Sequence, residues 1–435
     1  MSRLAPLLAG LLLTGAVAAA APPPLPEPLT LGAALAAVDD HHPTLAEAYA
    51  RHQQAQAGYQ LASAERLPTL NLETHLRYLE AYDQNSAPGH NDSHAQLRLQ
   101  QTLYDFGRSE ARLSARDAER NREQYALLES RQQQQLEVMR RFFAVLLADL
   151  AQSEAHEAMA LAYIRFNKAN ERQQLGQLSD IERLDQERNY QQMRVAFLEQ
   201  QAAQRLTRTR LASALNRPQQ LASRLVTPPP LERLRPPLEE LLQEARDHAP
   251  LLARLRAELA AASSEQQAAE RERWPLLRGE LIGSSQQREV GARSGPFSAA
   301  LVLEVALFDG GMQRARTAQR EAETQQQRAR LAQAELLLRE QLTELWLQLD
   351  HLQQRREALR ALANYQELYL DRSRALYELE FTADLGDAMT QTSAVRLQQA
   401  SNEFELALTW AQIDALRGQF DPTTLFSPAT EEPNR

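Results

Sequence analysis

The sequence predicts a mainly α-helical chain with a small amphipathic β part, built as two tandem copies of one unit. Two stretches, Arg108 to Leu175 and Met312 to Leu379, contain neither proline nor glycine. Short segments ahead of each alternate apolar with polar residues. The same landmarks recur in the same order: Pro250 follows Pro43 by 207 residues, Pro275 follows Pro68 by 207, and Asp309 follows Asp105 by 204. Composition agrees. In 435 residues aromatics are 6% and charged residues 24%, a balance of long helices rather than of a sandwich or an α/β enzyme.

The same figures exclude several classes. After the N-terminal segment, no run approaches the roughly 18 to 20 apolar residues of a membrane helix. A β-barrel remains open, because its strands are short and alternate. The net charge of −9 offers no basic footprint, so no nucleic-acid partner is expected. With no cysteine, disulfides, thiol catalysis, cysteine zinc sites and lipid attachment to an N-terminal cysteine all fall away. No nucleophile triad, phosphate loop, glycine fingerprint or metal motif appears, so neither an enzyme nor a cofactor is expected. His41 and His42 are adjacent and would point about 100° apart on a helix, a poor metal pair.

In chain order, residues 1–20 read as an export signal: Arg3, an apolar core from Leu4 to Val17, then Ala18, Ala19 and Ala20. Residues 21–30 form a Pro-rich lead. The first unit spans 31–217. Its opening helix, Leu31 to Glu65, stops before Pro68. A strand over 68–80 follows, with Leu70, Leu72, Thr74, Leu76 and Tyr78 on one face and Asn71, Glu73, His75 and Arg77 on the other. A polar loop from Asp83 to Ser93 leads to a second strand over 94–104. There Ala95, Leu97 and Leu99 alternate with Gln96, Arg98 and Gln100.

The long helix 108–175 then steps its apolar positions by threes and fours, a 3.5-type repeat that favours left-handed coiled packing. At 1.5 Å per residue it would reach about 100 Å. A tip over 176–182 and a return helix over 180–216 complete the unit. Residues 218–237, broken by Pro228 to Pro230 and by Pro236 and Pro237, are the linker. The second unit, 238–418, repeats the plan. It has a helix to Arg273, strands over 276–285 and 297–308, a long helix over 312–379, a tip over 380–387 and a return helix over 384–418. The tail 419–435 is expected to be disordered.

Four strands with one apolar and one polar face cannot close a barrel alone, since about eight is the usual minimum. If the apolar faces meet lipid, no strand edge can stay open there, so closure must occur between chains. Three chains give twelve strands. Each strand is about ten residues long, enough for a tilted span of the hydrocarbon. The charged residues Arg77, Arg98, Arg278 and Glu304 would then face the lumen, and His75 and His94 would line it. Trp274, Tyr104, Phe106 and Phe308, all at helix-proximal strand ends, would form an aromatic girdle at the interface.

The leader, the phrase Leu29 to Leu35, the His42–Pro43 and Leu67–Pro68 landmarks, and the ends Tyr104-Asp105-Phe106-Gly107 and Phe308-Asp309-Gly310-Gly311 before long helices resemble TolC-type outer-membrane efflux and secretion channels. The resemblance covers nearly the whole mature chain. It implies a homotrimer with a twelve-stranded outer-membrane barrel and a periplasmic α-helical coiled-coil tunnel, the linker lying at its equator. It also implies passive export in a tripartite efflux pump or type I secretion system, with a periplasmic adaptor and an inner-membrane pump as partners.

Acidic rings at the periplasmic entrance are implied too. Asp384 and Asp387 match the Asp-x-x-Asp spacing, and Asp180 lies in the first tip. Glu380 stands where the first unit has Gly176. Ser179 with Glu182 forms a capping box, and Asp384 with Asp387 suits a helix start. The competing reading is a periplasmic adaptor or coiled-coil scaffold, but adaptors carry one central hairpin flanked by β domains.

Overall fold

Proline breaks both short helices that the periodicity had joined. In the computed structural model, which describes residues 25–38, 42–79, 90–91, 93–220, 223–286, 296–379 and 385–420, the expected helix Leu31 to Glu65 is two helices. They are α1 (Leu31–Ala36) and α2 (Pro43–Ala64). Pro43 has no N–H and forces the residue before it out of the helical region; His42 has ψ 131°. The His42 ring instead caps α2, accepting from the Thr44 N–H at 3.3 Å. The second unit repeats this. The helix expected over Leu238 to Arg273 divides at Ala249, ψ 122°, into α5 (Leu238–His248) and α6 (Pro250–Arg271).

The strands are β1 (Thr69–His75), β2 (Tyr78–Leu79), β3 (His90–Asn91), β4 (His94–Tyr104), β5 (Leu276–Gln286) and β6 (Phe297–Glu304). The strand expected over 68–80 is thus two pieces, and Arg77 lies in the break rather than in a strand. Its backbone N–H donates to Ser93 Oγ at 3.2 Å. The strand expected over 297–308 ends at Glu304, because β5 begins at its register partner Leu276 and offers nothing opposite residues 305–308. The main sheet is antiparallel in the order β1-β4-β5-β6, so β1 and β6 are its edges. β2 and β3 form a separate ribbon.

The long helices are α3 (Arg108–Gln174) and α7 (Met312–Glu378), and the return helices are α4 (Asp180–Ala214) and α8 (Leu385–Leu416). Near the strands α3 carries α2 on one flank, with Arg120 over the Tyr59 ring. On the other flank it carries α6, through Arg254–Glu129 and Arg112–Glu272, each 2.8 Å. Far from the strands α4 replaces α2, with Arg208 gripping Asp149 at 2.7 Å. There α8 replaces α6, its Phe404 stacked on Phe143 at 4.5 Å. The helix α7 lies on the far side of α6 and α8. Arg356 joins α7 to Glu403 of α8, and Thr324 Oγ1 donates to Ala262 of α6. The helix α3 therefore lies between two columns of short helices set end to end, α2 with α4 and α6 with α8, and α7 lies against the second column.

At mid-height two apolar clusters meet. One gathers Val138, Met139, Phe142 and Phe143 of α3 with Leu29, Leu31 and Leu35. The other gathers Leu342, Leu349 and Leu352 of α7 with Leu241, Leu252 and Trp410. The lead and linker are built into them. Leu29, fully buried, bridges Leu225 and donates to the Arg224 carbonyl at 2.9 Å. Trp346 Nε1 donates to the Pro236 carbonyl at 3.0 Å. Among the described residues no helix is long and apolar enough to cross a membrane. The expected export signal, most of the loop Asp83 to Ser93 and the tail beyond Phe420 lie outside them.

Candidate functional site

The sheet sorts its side chains by register. Leu70 pairs with Leu99, Leu72 with Leu97, and Leu99 in turn with Leu281. Leu281 pairs with Ala299 and Gly279 with Leu301. One face is thus continuous in apolar groups across all four strands. Within the protomer it is bare: Leu72 is 72% exposed, Phe297 84% and Leu301 73%. A face this apolar and this uncovered marks an interaction surface.

The opposite face is a polar network. Glu73 accepts from Gln96 Nε2 at 2.6 Å and joins the His75 ring at 2.7 Å. His75 and His94, opposite one another, stack with centroids 4.7 Å apart. With its amide oxygen toward Arg278, Gln100 accepts from Nε at 3.1 Å. Arg278 also reaches Glu304 at 3.7 Å. Arg98, Arg278 and Glu304 therefore share one face with both histidines.

Where strands become helices, the two units use one device. Asp105 accepts from the Gly107 N–H at 3.1 Å and the Ser109 N–H at 2.7 Å. Asp309 accepts from the Gly311 N–H at 2.9 Å and the Gln313 N–H at 2.7 Å. Each carboxylate satisfies N–H groups that the first helical turn leaves orphaned. Gly107 and Gly311 turn the chain at φ 83° and 91°, a region that disfavours side chains.

Phe106 also sits at positive φ, 55°, where the second unit has Gly310. A bulky residue there is strained. Its ring packs edge-on to Tyr104 at 4.8 Å and stacks on Trp274 at 5.3 Å. The structure so brings Tyr104, Phe106 and Trp274 together; Phe308 stands apart, 91% exposed.

At the far end, Asp180 opens α4 after the Ser179 cap. The capping box with Glu182 is present, and Asp180 accepts from Gln173 Nε2 at 3.0 Å. Asp387 lies in the first turn of α8 and pairs with Arg165 of α3 at 2.5 Å. Gly386 lies against Leu161, whose Cδ1 would have to swing aside for a Cβ there. Asp384 lies outside the described residues. Arg165 was not singled out from the sequence; it is one of many arginines on polar helix faces, and its partner is 222 residues away. The Asp-x-Gly repeat was the legible signal for the elbows. No group of three or more metal-binding side chains forms among the described residues.

No curated protein sequence matches the chain. Among solved structures, the fold is similar to the CmeC outer membrane channel of Campylobacter jejuni, with 12% identity and a TM-score of 0.76 over 90% of this chain and 86% of that one. It is similar to the outer membrane protein VceC of Vibrio cholerae, with 18% identity and a TM-score of 0.71 over 90% and 97%. It is also similar to CusC, whose structures describe transmembrane channel formation, with 17% identity and a TM-score of 0.74 over 89% and 92%. A family profile described as outer membrane efflux protein matches twice, over residues 35–217 and 241–419, so that the duplication, the bare apolar sheet face and the paired long helices find one account: the chain belongs to the outer membrane efflux protein family and is an efflux channel of the outer membrane with a helical periplasmic extension.

Proposed function

We propose that three copies close into one conduit, a twelve-stranded barrel continued by a helical tunnel, and that a periplasmic adaptor and an inner-membrane pump feed it. The observation that carries this is the open four-stranded sheet with its apolar face uncovered. Strand edges cannot remain unpaired in lipid, so β6 of one copy pairs with β1 of the next. Arg98, Arg278 and Glu304 then face a water-filled lumen, with Arg77 beside them at the end of β1. Tyr104, Phe106, Trp274 and Phe308 ring the barrel at its helix-proximal interface. Asp180 and Asp387 sit at the far tip, where cargo enters, and Asp384 precedes Asp387 by three residues in the chain. The chain moves no bond; its part is passage, and the pump supplies the work.

Light scattering of the detergent-solubilised protein tests the assembly. A particle of three protein masses, lost from solution when detergent is withdrawn, is expected. A soluble monomer that needs no detergent overturns the reading.

A further inference from the structure

The helices α8 and α6 meet end to end between α3 and α7, and they do not fill the seam. On one side the ends touch: Gly418, just after α8, lies so close to the His248 carbonyl that a Cβ would come within 2.3 Å of it. On the other side a recess of about 710 Å³ remains. Small-molecule sites span roughly 300 to 1,000 Å³. All the residues that line it belong to one chain.

The direction in which the recess opens follows from α7. Gln341, Glu344 and Gln348 line it. Trp346 and Asp350, which hold Pro236 and Arg235 of the linker, lie on the other side of the same helix. At 100° per residue the two sets point about 175° apart. The recess therefore opens away from the linker, toward what the trimeric reading makes the bore.

Its chemistry is mixed. Leu136, Leu251, Leu338 and Leu345 supply an apolar floor. Three charges stand around it: Glu129, Arg254 and Glu344. Arg254 is spent on its neighbours, held by Glu129 at 2.8 Å and Glu258 at 2.9 Å. Glu344 has no ion-pair partner among the described residues. The site thus offers one uncompensated carboxylate over a leucine floor.

We propose that this recess is a transit site for amphipathic monovalent cations, the cationic group against Glu344 and the apolar body on the leucines. The carboxylate selects the sign of charge and the floor selects for apolar bulk. The placement in the bore rests on the trimeric reading; the recess itself does not.

The test uses the full chain in detergent. It is titrated with tetraphenylphosphonium and, in parallel, with tetraphenylborate, an anion of the same shape, and heats are read against protein-free micelles. Saturable binding of the cation and none of the anion is expected. Glu344→Gln should weaken the cation about tenfold. Gln348→Trp, which fills the recess from an exposed position, should abolish binding. Equal retention of both ions, or variants that bind like the parent, overturns the site. Light scattering on the same samples separates the two readings. A trimer that retains no cation removes the recess alone, whereas a monomer that binds it upholds the recess and overturns the trimer.

Discussion

Asp105 and Asp309 each decide where a strand ends and a long helix begins. Their carboxyls are held below the ordinary aspartate value. For Asp105, burial opposes ionisation, but the Ser109 hydroxyl, the N–H groups of Ser109 and Gly107 and the nearby Arg108 together outweigh it. For Asp309, the N–H groups of Gln313 and Gly311 dominate. A depressed carboxyl contributes its stability above the unfolded-state pKa of about 3.9, and loses it as pH falls through the lower folded-state value. Asp105→Asn keeps an amide oxygen that can cap and removes only the charge, so it is expected to cost about 0.5 kcal/mol at neutral pH, the scale of a charge at a helix N-terminus. The gap to the parent should close as both are taken to about pH 2. A series of thermal melts across that range checks it, and a gap that stays constant would mean that the charge is not the source. Phe106 shows the opposite choice at the same elbow. The first unit keeps a strained aromatic where the second accepts glycine, and the ring is the middle member of the Tyr104–Trp274 stack.

The strands are elements whose two faces answer to different solvents. Leu301 and Ala300 are neighbours on β6 but point to opposite faces, Leu301 paired with Gly279 and Ala300 with Glu280. Leu301→Arg should cost about 2 to 4 kcal/mol near the midplane and deplete the assembled channel. Ala300→Arg, placed beside Glu280 on the polar face, should be tolerated. Trimer yield after extraction measures both, and equal losses would show the faces to be exchanged. These faces were legible from sequence because a period of two needs no partner to be read. The end of β6 was not: Val305 and Leu307 continue the alternation, but a strand lasts only as long as something lies opposite it. Pro43 and Pro250 were legible as repeat landmarks, yet the apolar periodicity runs across them. The rule that ends the opening helix before Pro68 applies to them as well: the absent N–H is readable from the residue, and each proline opens a new helix. Period likewise shows that Arg165 lies on a polar face, and says nothing of which acid meets it.

On the scale of the whole molecule, duplication produces a wall with two equivalent columns, and the tip is where their closure must be controlled. The two acids described there are not equivalent. Asp180 faces an uncharged amide, that of Gln173. Asp387 shares its charge with Arg165, across the packing of α3 and α8. If three tips converge on the axis, the field at the mouth is set by acids that remain uncompensated, and a ring of carboxylates favours cations and invites block by multivalent ones. Removing the arginine should then act oppositely to removing the acids. Arg165→Gln unpairs three copies of Asp387, so cation selectivity and block by a divalent ion added from the tip side should both rise. Asp384→Asn combined with Asp387→Asn should lower both while leaving the trimer intact. If these aspartates act only on the first turn of α8, the double variant should instead lose about 1 kcal/mol of stability, with its current unaltered. Single-channel recording in planar bilayers, run beside a thermal melt of each variant, separates the cases. Shifts of selectivity in opposite directions for the arginine and the aspartate variants are the signature of charge at the mouth, because a loss of packing would move both the same way.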